Sequence, residues 1–144
     1  MMQLNKDDVI LYEVDKNNKE KVEKAEKDPI IDMPIILLTN ENTASSSEIL
    51  AGALKDKYPN TTIVGMQTYG KGVIQTLYSL SDGSGLKITT EEYYTPNHNK
   101  INKEGITPDV EVDLTKNAEG KYETEFDKDA QVQKAIETIK EKIK

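Results

Sequence analysis

The chain has 144 residues, enough for one domain with a single core, and its 19 cations are all lysine against 26 acids, a net charge of −7. An acidic chain with no arginine excludes a phosphate-binding surface and with it nucleic acid; the absence of Cys excludes thiolate catalysis and disulfides. The one His, His98, sits in a Pro-Asn-His-Asn turn with no second His or Cys beside it, so no metal is expected.

Of the 45 charges, 14 fall in residues 1–28 and 15 in residues 113–144. This predicts a core from about Pro29 to Leu114 between a charged hairpin or loop segment (1–28) and a solvated tail (115–144). The longest apolar run, Met33 to Leu38, is far short of the roughly 20 residues of a membrane span, and no signal-peptide pattern opens the chain.

Weak alternation from Val9 to Val14, then Asp15-Lys16-Asn17-Asn18, predicts an exposed hairpin or a strand and loop. Pro34 to Thr39 is a continuous apolar run that predicts a strand buried on both faces. From Ser45 to Lys57 the spacing of Ile49, Leu50, Ala53 and Leu54 predicts a helix, stopped by Tyr58-Pro59-Asn60. Strands are predicted at Thr61–Val64, Val73–Leu80 and Leu86–Tyr94, the last two joined by the Ser81–Gly85 turn, and an edge strand at Val110–Leu114. Val132, Ala135, Ile136, Ile139 and Ile143 recur at helical spacing, which predicts an amphipathic helix over about 128–143.

Two stretches can carry chemistry. Thr43-Ala44-Ser45-Ser46-Ser47-Glu48 lies where a buried strand turns into a helix. Ser45-x-x-Glu48 fits a capping box, which ordinary helix starts also use. The same turn exposes a serine beside a helix N-terminus, whose N–H groups suit an oxyanion. Tyr69-Gly70-Lys71-Gly72 completes a phosphate-loop spacing from Gly65. Gly72 replaces the metal-binding Ser or Thr, however, and a strand pattern follows instead of a helix, so nucleotide binding is excluded. Alone, Lys71 reads as a solvated turn lysine. Taken with Ser45 in a chain whose only His lies elsewhere, it is the available base, provided that burial keeps its amine largely neutral.

The strings LLTNENTASSSEILAGALKDK and TIVGMQTYGKGVIQTLYSLSDGSGLKITTEEYYTPNHNKINKEGITPDVEVDL resemble the carboxyl-terminal processing (tail-specific) proteases over about Pro34 to Leu114. Asp129-x-Gln131 and the tail helix resemble the end of that domain. The resemblance implies a serine protease with Ser45 as nucleophile, Lys71 as general base, Gln75 orienting the lysine and the Ser46 N–H as an oxyanion donor. Lys71 and Gln75, if fully extended, would lie ~13 Å apart, so a bend at Gly72 is expected. Asn42, Thr43 and Ser46 depart from the family's usual residues. The Ser45–Lys71 separation looks one residue longer, in the Tyr58–Thr62 turn.

The implied fold is α/β, a Clp-protease or crotonase-like core with a mixed sheet and packed helices. The 144 residues are then part of a peptidase domain, with no cofactor and polypeptide C-termini as substrates. The parent protein is expected outside the cytoplasm, secreted or membrane-anchored. The family's upstream PDZ domain and its Gly-rich oxyanion segment find no match in the chain, so the chain alone is expected to be inactive or nearly so. Two alternatives stay open: a catalytically silent peptide binder, and a piece that self-associates through exposed sheet edges.

Overall fold

The computed structural model describes residues 4–30, 32–123 and 125–143. The Val9 alternation becomes β1 (Val9–Asp15), and β2 (Glu20–Lys24) returns antiparallel to it. Asp15 makes the turn, its Oδ1 accepting the N–H groups of Asn17 (2.7 Å) and Lys19 (2.9 Å). This segment contributes to the core: Leu4 and Ala25 are buried with Ala53 and Leu54, while Leu11 joins Ala51, Ile63, Tyr93, Ile101 and Ile106. The core therefore reaches further toward the N-terminus than the charge distribution suggested. A two-faced strand can carry solvated Lys and Glu on one side and still bury the other.

The apolar run forms β3 (Ile35–Thr39), which feeds α1 (Ser46–Lys57) and then β4 (Thr61–Gly65), parallel to β3 with Ile35 opposite Thr61 and Thr39 opposite Gly65. The crossover helix is what lets two consecutive strands run parallel. α1 ends at Tyr58, whose N–H bonds the Leu54 carbonyl at 2.9 Å, and Pro59 cannot continue it. β5 (Val73–Ser79) and β6 (Gly85–Tyr94) form the expected hairpin, and β7 (Val110–Glu111), shorter than expected, pairs parallel with β4.

The strands segregate by direction into two sheets, an antiparallel one in the order β2-β1-β6-β5 and a parallel one in the order β3-β4-β7. The single mixed sheet expected of a Clp-protease or crotonase-like core is not formed. Tight hairpins bind the first set, and helical or long crossovers bind the second. α1 packs against β1 of one sheet and β4 of the other, joining them. Gly52 lets α1 lie close to the residues that follow β6, since a Cβ there would stand 2.9 Å from Thr95 Cγ2. β3 is the outer strand of its sheet rather than a strand buried on both faces, and Leu38 is 44% exposed.

The closing helix is α2 (Ala130–Lys142), packed on β3 and β4. Asp129 caps it, Oδ1 accepting the N–H groups of Gln131 (2.9 Å) and Val132 (3.2 Å). Asp129→Ala is expected to lower stability by about 1 kcal/mol, read from the urea midpoint.

Candidate active site

β3 delivers the chain to a tight turn at its carboxyl end, where the Thr43 hydroxyl accepts the Asn40 N–H (3.0 Å) and the Asn40 side chain accepts the Asn42 N–H (2.9 Å). Ser45 follows, half-buried, at φ 59° and ψ −120°, a conformation that strains any residue with a Cβ. Its hydroxyl makes no capping bond. The Glu48 N–H goes instead to the Ser45 carbonyl oxygen at 2.8 Å, and the Ser45 Oγ lies 3.3 Å from the Tyr93 hydroxyl. Ser46 is exposed at the first turn of α1, and its N–H has no hydrogen-bond partner among the described residues.

The Gly-Lys-Gly segment lies against this turn. Thr39 and Met66 exchange bonds, Met66 N–H to the Thr39 carbonyl (2.9 Å) and Thr39 hydroxyl to the Met66 carbonyl (2.8 Å), and the Tyr69 N–H donates to the Thr43 carbonyl at 2.9 Å. On its other side the Lys103 N–H donates to the Gly70 carbonyl (2.8 Å) and the Tyr93 N–H to the Gly72 carbonyl (3.0 Å). Gly70 needs its freedom, at φ +85°. Gly72 is needed for a different reason, because it lies flat on the Ile101–Asn102 backbone.

The carboxylate of Glu48, fully buried, joins the two segments: it accepts the Ser45 and Lys71 N–H groups on Oε2 and the Gly70 N–H and Thr68 hydroxyl on Oε1. The capping-box spacing gave a sign of the first bond only. Tyr93 had no sign in the sequence at all.

The side chains of the expected trio are not brought together. Lys71 is exposed and its side-chain amine makes no hydrogen bond or ion pair among the described residues, so the expected burial of that amine is not found. Two residues on begins β5, the outermost strand of its sheet, whose free side no described residue pairs with. Gln75 is exposed, and its Nε2 reaches the Thr89 hydroxyl at 3.5 Å, opposite it in the β5–β6 register. No hydrogen bond joins the Gln75 and Lys71 side chains among the described residues.

The floor of the site rests on Glu92, whose carboxylate accepts from Lys100 (2.9 Å) and from the Asn102 side chain (2.6 Å), fixing the segment under Gly72. The Lys100 ammonium, helped by the Asn102 amide, holds the Glu92 carboxyl below its ordinary value of 4.5. A depressed folded-state value means stability present above about pH 4.5 and lost as pH falls through the folded value. The stability gap between wild type and Glu92→Gln is expected to shrink between pH 6 and pH 3 in urea titrations.

Among the described residues no helix is long and apolar enough to cross a membrane. Residues 2–112 match the model of peptidase family S41. The chain is 45% identical over 104 residues to the carboxyl-terminal-processing protease of Synechocystis sp., covering 72% of this chain and 24% of that protein. It is 44% identical over 107 residues to the chloroplastic carboxyl-terminal-processing peptidase 1 of Arabidopsis thaliana, covering 74% and 22%. It thus spans about a quarter of the length of the curated relatives it matches.

Among solved structures, the photosystem II D1 C-terminal processing protease superposes with a TM-score of 0.72 at 40% identity, over 83% of this chain and 31% of that one. The tricorn protease superposes at 0.55 and 20% identity, over 92% and 12%, a likeness of fold. These matches overturn the Clp-protease or crotonase-like expectation: the architecture is that of S41 and tricorn-like peptidases, and only the α/β character is shared with the expected core.

Proposed function

Because the chain belongs to peptidase family S41, we propose that it is the catalytic part of a serine endopeptidase that cuts polypeptides near their C-termini, with Ser45 as nucleophile and Lys71 as general base. One observation carries this reading: the Ser45 and Lys71 backbones share a single carboxylate oxygen of Glu48, 2.8 Å from each nitrogen, while the Ser45 hydroxyl is spared from capping. The exposed Lys71 side chain has no competing partner to leave.

In the reaction the Ser45 Oγ attacks the scissile carbonyl carbon as Lys71 swings in and its amine takes the hydroxyl proton. Collapse of the tetrahedral intermediate expels the amine product, which receives that proton, and water then hydrolyses the acyl-enzyme by the same steps. The free Ser46 N–H donates to the oxyanion. Gln75 orients the lysine once the β5 edge carries a substrate strand. The names of the relatives support a polypeptide C-terminus as substrate, and those placed in chloroplasts support a parent acting outside the cytoplasm.

Lys71→Ala is expected to slow phosphonylation by a serine-directed fluorophosphonate, in which fluoride leaves, about 10²- to 10⁴-fold, measured on the polypeptide as the cell makes it. Equal rates in the variant and the wild type would remove Lys71 from the mechanism. The exposure of Lys71 favours a second reading, a silent peptide binder, and complete failure of the probe to react would select it.

A further inference from the structure

We infer that Glu48 is a positioning residue whose carboxylate clasps the nucleophile turn to the base segment; the inference rests on the Ser45/Lys71 reading and supplies what holds that pair in register. A helix cap requires the Ser45 N–H alone, bound at 2.8 Å. The other three donors come from a loop twenty or more residues away: the Thr68 hydroxyl at 2.6 Å, the Gly70 N–H at 2.7 Å and the Lys71 N–H at 2.8 Å. Because Ser45 and Lys71 donate to the same oxygen, their nitrogens lie no farther apart than those two bonds laid end to end.

All four partners donate. Thr68 Oγ1 also accepts the Ile106 N–H at 2.7 Å, which commits the hydroxyl proton to Glu48. Residue 48 must therefore present acceptors at both ends and no donor. Glutamine has the same size but turns an NH₂ toward one pair of donors whichever way it is flipped, and aspartate is shorter by one methylene. The clasp also holds Ser45 at φ 59°, a conformation that persists only where the surroundings over-determine it. It has a chemical consequence as well: with the Ser45 N–H occupied, the Ser46 N–H beside it is left without a partner among the described residues.

The test is NMR on the full 144-residue chain. In wild type, scalar couplings across the hydrogen bonds should link the Glu48 carboxyl carbon to the amide nitrogens of Ser45, Gly70 and Lys71, and their absence overturns the inference whether or not a variant folds. In Glu48→Gln, amide exchange at Ser45 and Lys71, or at Gly70 if the amide is flipped, should quicken about 10- to 100-fold while the β4 amides of Ile63 and Val64 change less than about threefold. Uniform acceleration, including Ile63 and Val64, would mean only general destabilisation and would overturn the clasp.

Fluorophosphonate labelling of the same variant, in the polypeptide as the cell makes it, should slow about 10- to 100-fold. An unchanged rate against a reactive wild type would overturn the positioning role. The coupling and exchange data decide the clasp even if wild type is not labelled, a result that would sink only the Ser45/Lys71 reading.

Discussion

Ser45→Ala is expected to cut peptide cleavage by the polypeptide that carries this domain at least about 10⁴-fold and to leave its thermal midpoint within about 2 °C. The two effects separate because the Ser45 hydroxyl does little structural work: it makes no capping bond and has one long contact, 3.3 Å, with Tyr93. The backbone remains under the same strain, since alanine also carries a Cβ at φ 59° and ψ −120°. Ser45→Gly should be equally inactive yet more stable than Ser45→Ala by about 1 kcal/mol, because glycine alone adopts that conformation without strain. Measuring cleavage and urea midpoints for both variants distinguishes a serine kept for chemistry from one kept for folding. Retained cleavage in either variant would remove Ser45 from the reaction.

Gly72→Ala should cost about 3 kcal/mol of stability and about 10 °C in thermal midpoint. A Cβ there would stand 2.4 Å from the Asn102 nitrogen and 2.9 Å from Asn102 Cα and the Ile101 carbonyl carbon. Those are backbone atoms, held in turn by Glu92 through Asn102 and Lys100, so they cannot rotate aside as a side chain would. Relief requires the Gly70–Gly72 segment to lift from residues 101–103, which strains the bonds from Lys103 and Tyr93 and disturbs the backbone of Lys71. Loss of acylation should accompany the loss of stability. Gly83→Ala is the control: its φ of +86° costs about 1 kcal/mol, but nothing lies within 4 Å of the added methyl. Equal destabilisation by the two substitutions would refute the close-approach argument.

Element type was largely legible in the sequence because period and punctuation are local properties. The Pro34–Thr39 run, the Ser45–Lys57 helix and the Ser81–Gly85 hairpin all lie within a residue or two of where spacing and turn chemistry placed them. Position within the assembled sheets was not local, and there the reading failed. An apolar run reports that a strand is covered, not by what; β3 is an outer strand with α2 packed against it. The density of Lys and Glu in residues 1–28 hid not the Val9–Val14 strand but its burial: β1 lies between β2 and β6 and turns Leu11 inward.

The site divides in the same way. Motif spacing located Ser45 and the Gly-Lys-Gly segment, while Glu48 was legible only as a cap, since its three other donors arrive through tertiary folding. Tyr93 carried no signal, being one tyrosine of a strand pattern until β6 brings its hydroxyl to Ser45. Gln75 shows the limit of transferring a role by position: strand register pairs it with Thr89, and a substrate strand on the open edge of β5 is what would have to draw it toward Lys71.

The central claim, that Ser45 attacks with Lys71 as its base, is tested most directly by mass-spectrometric mapping of the fluorophosphonate adduct in wild type and in Lys71→Ala. The account predicts a single modified residue, Ser45, with labelling at least about 10²-fold slower in the variant. An adduct on Ser46 or Ser47, or labelling of Ser45 at an undiminished rate without the lysine, would contradict it.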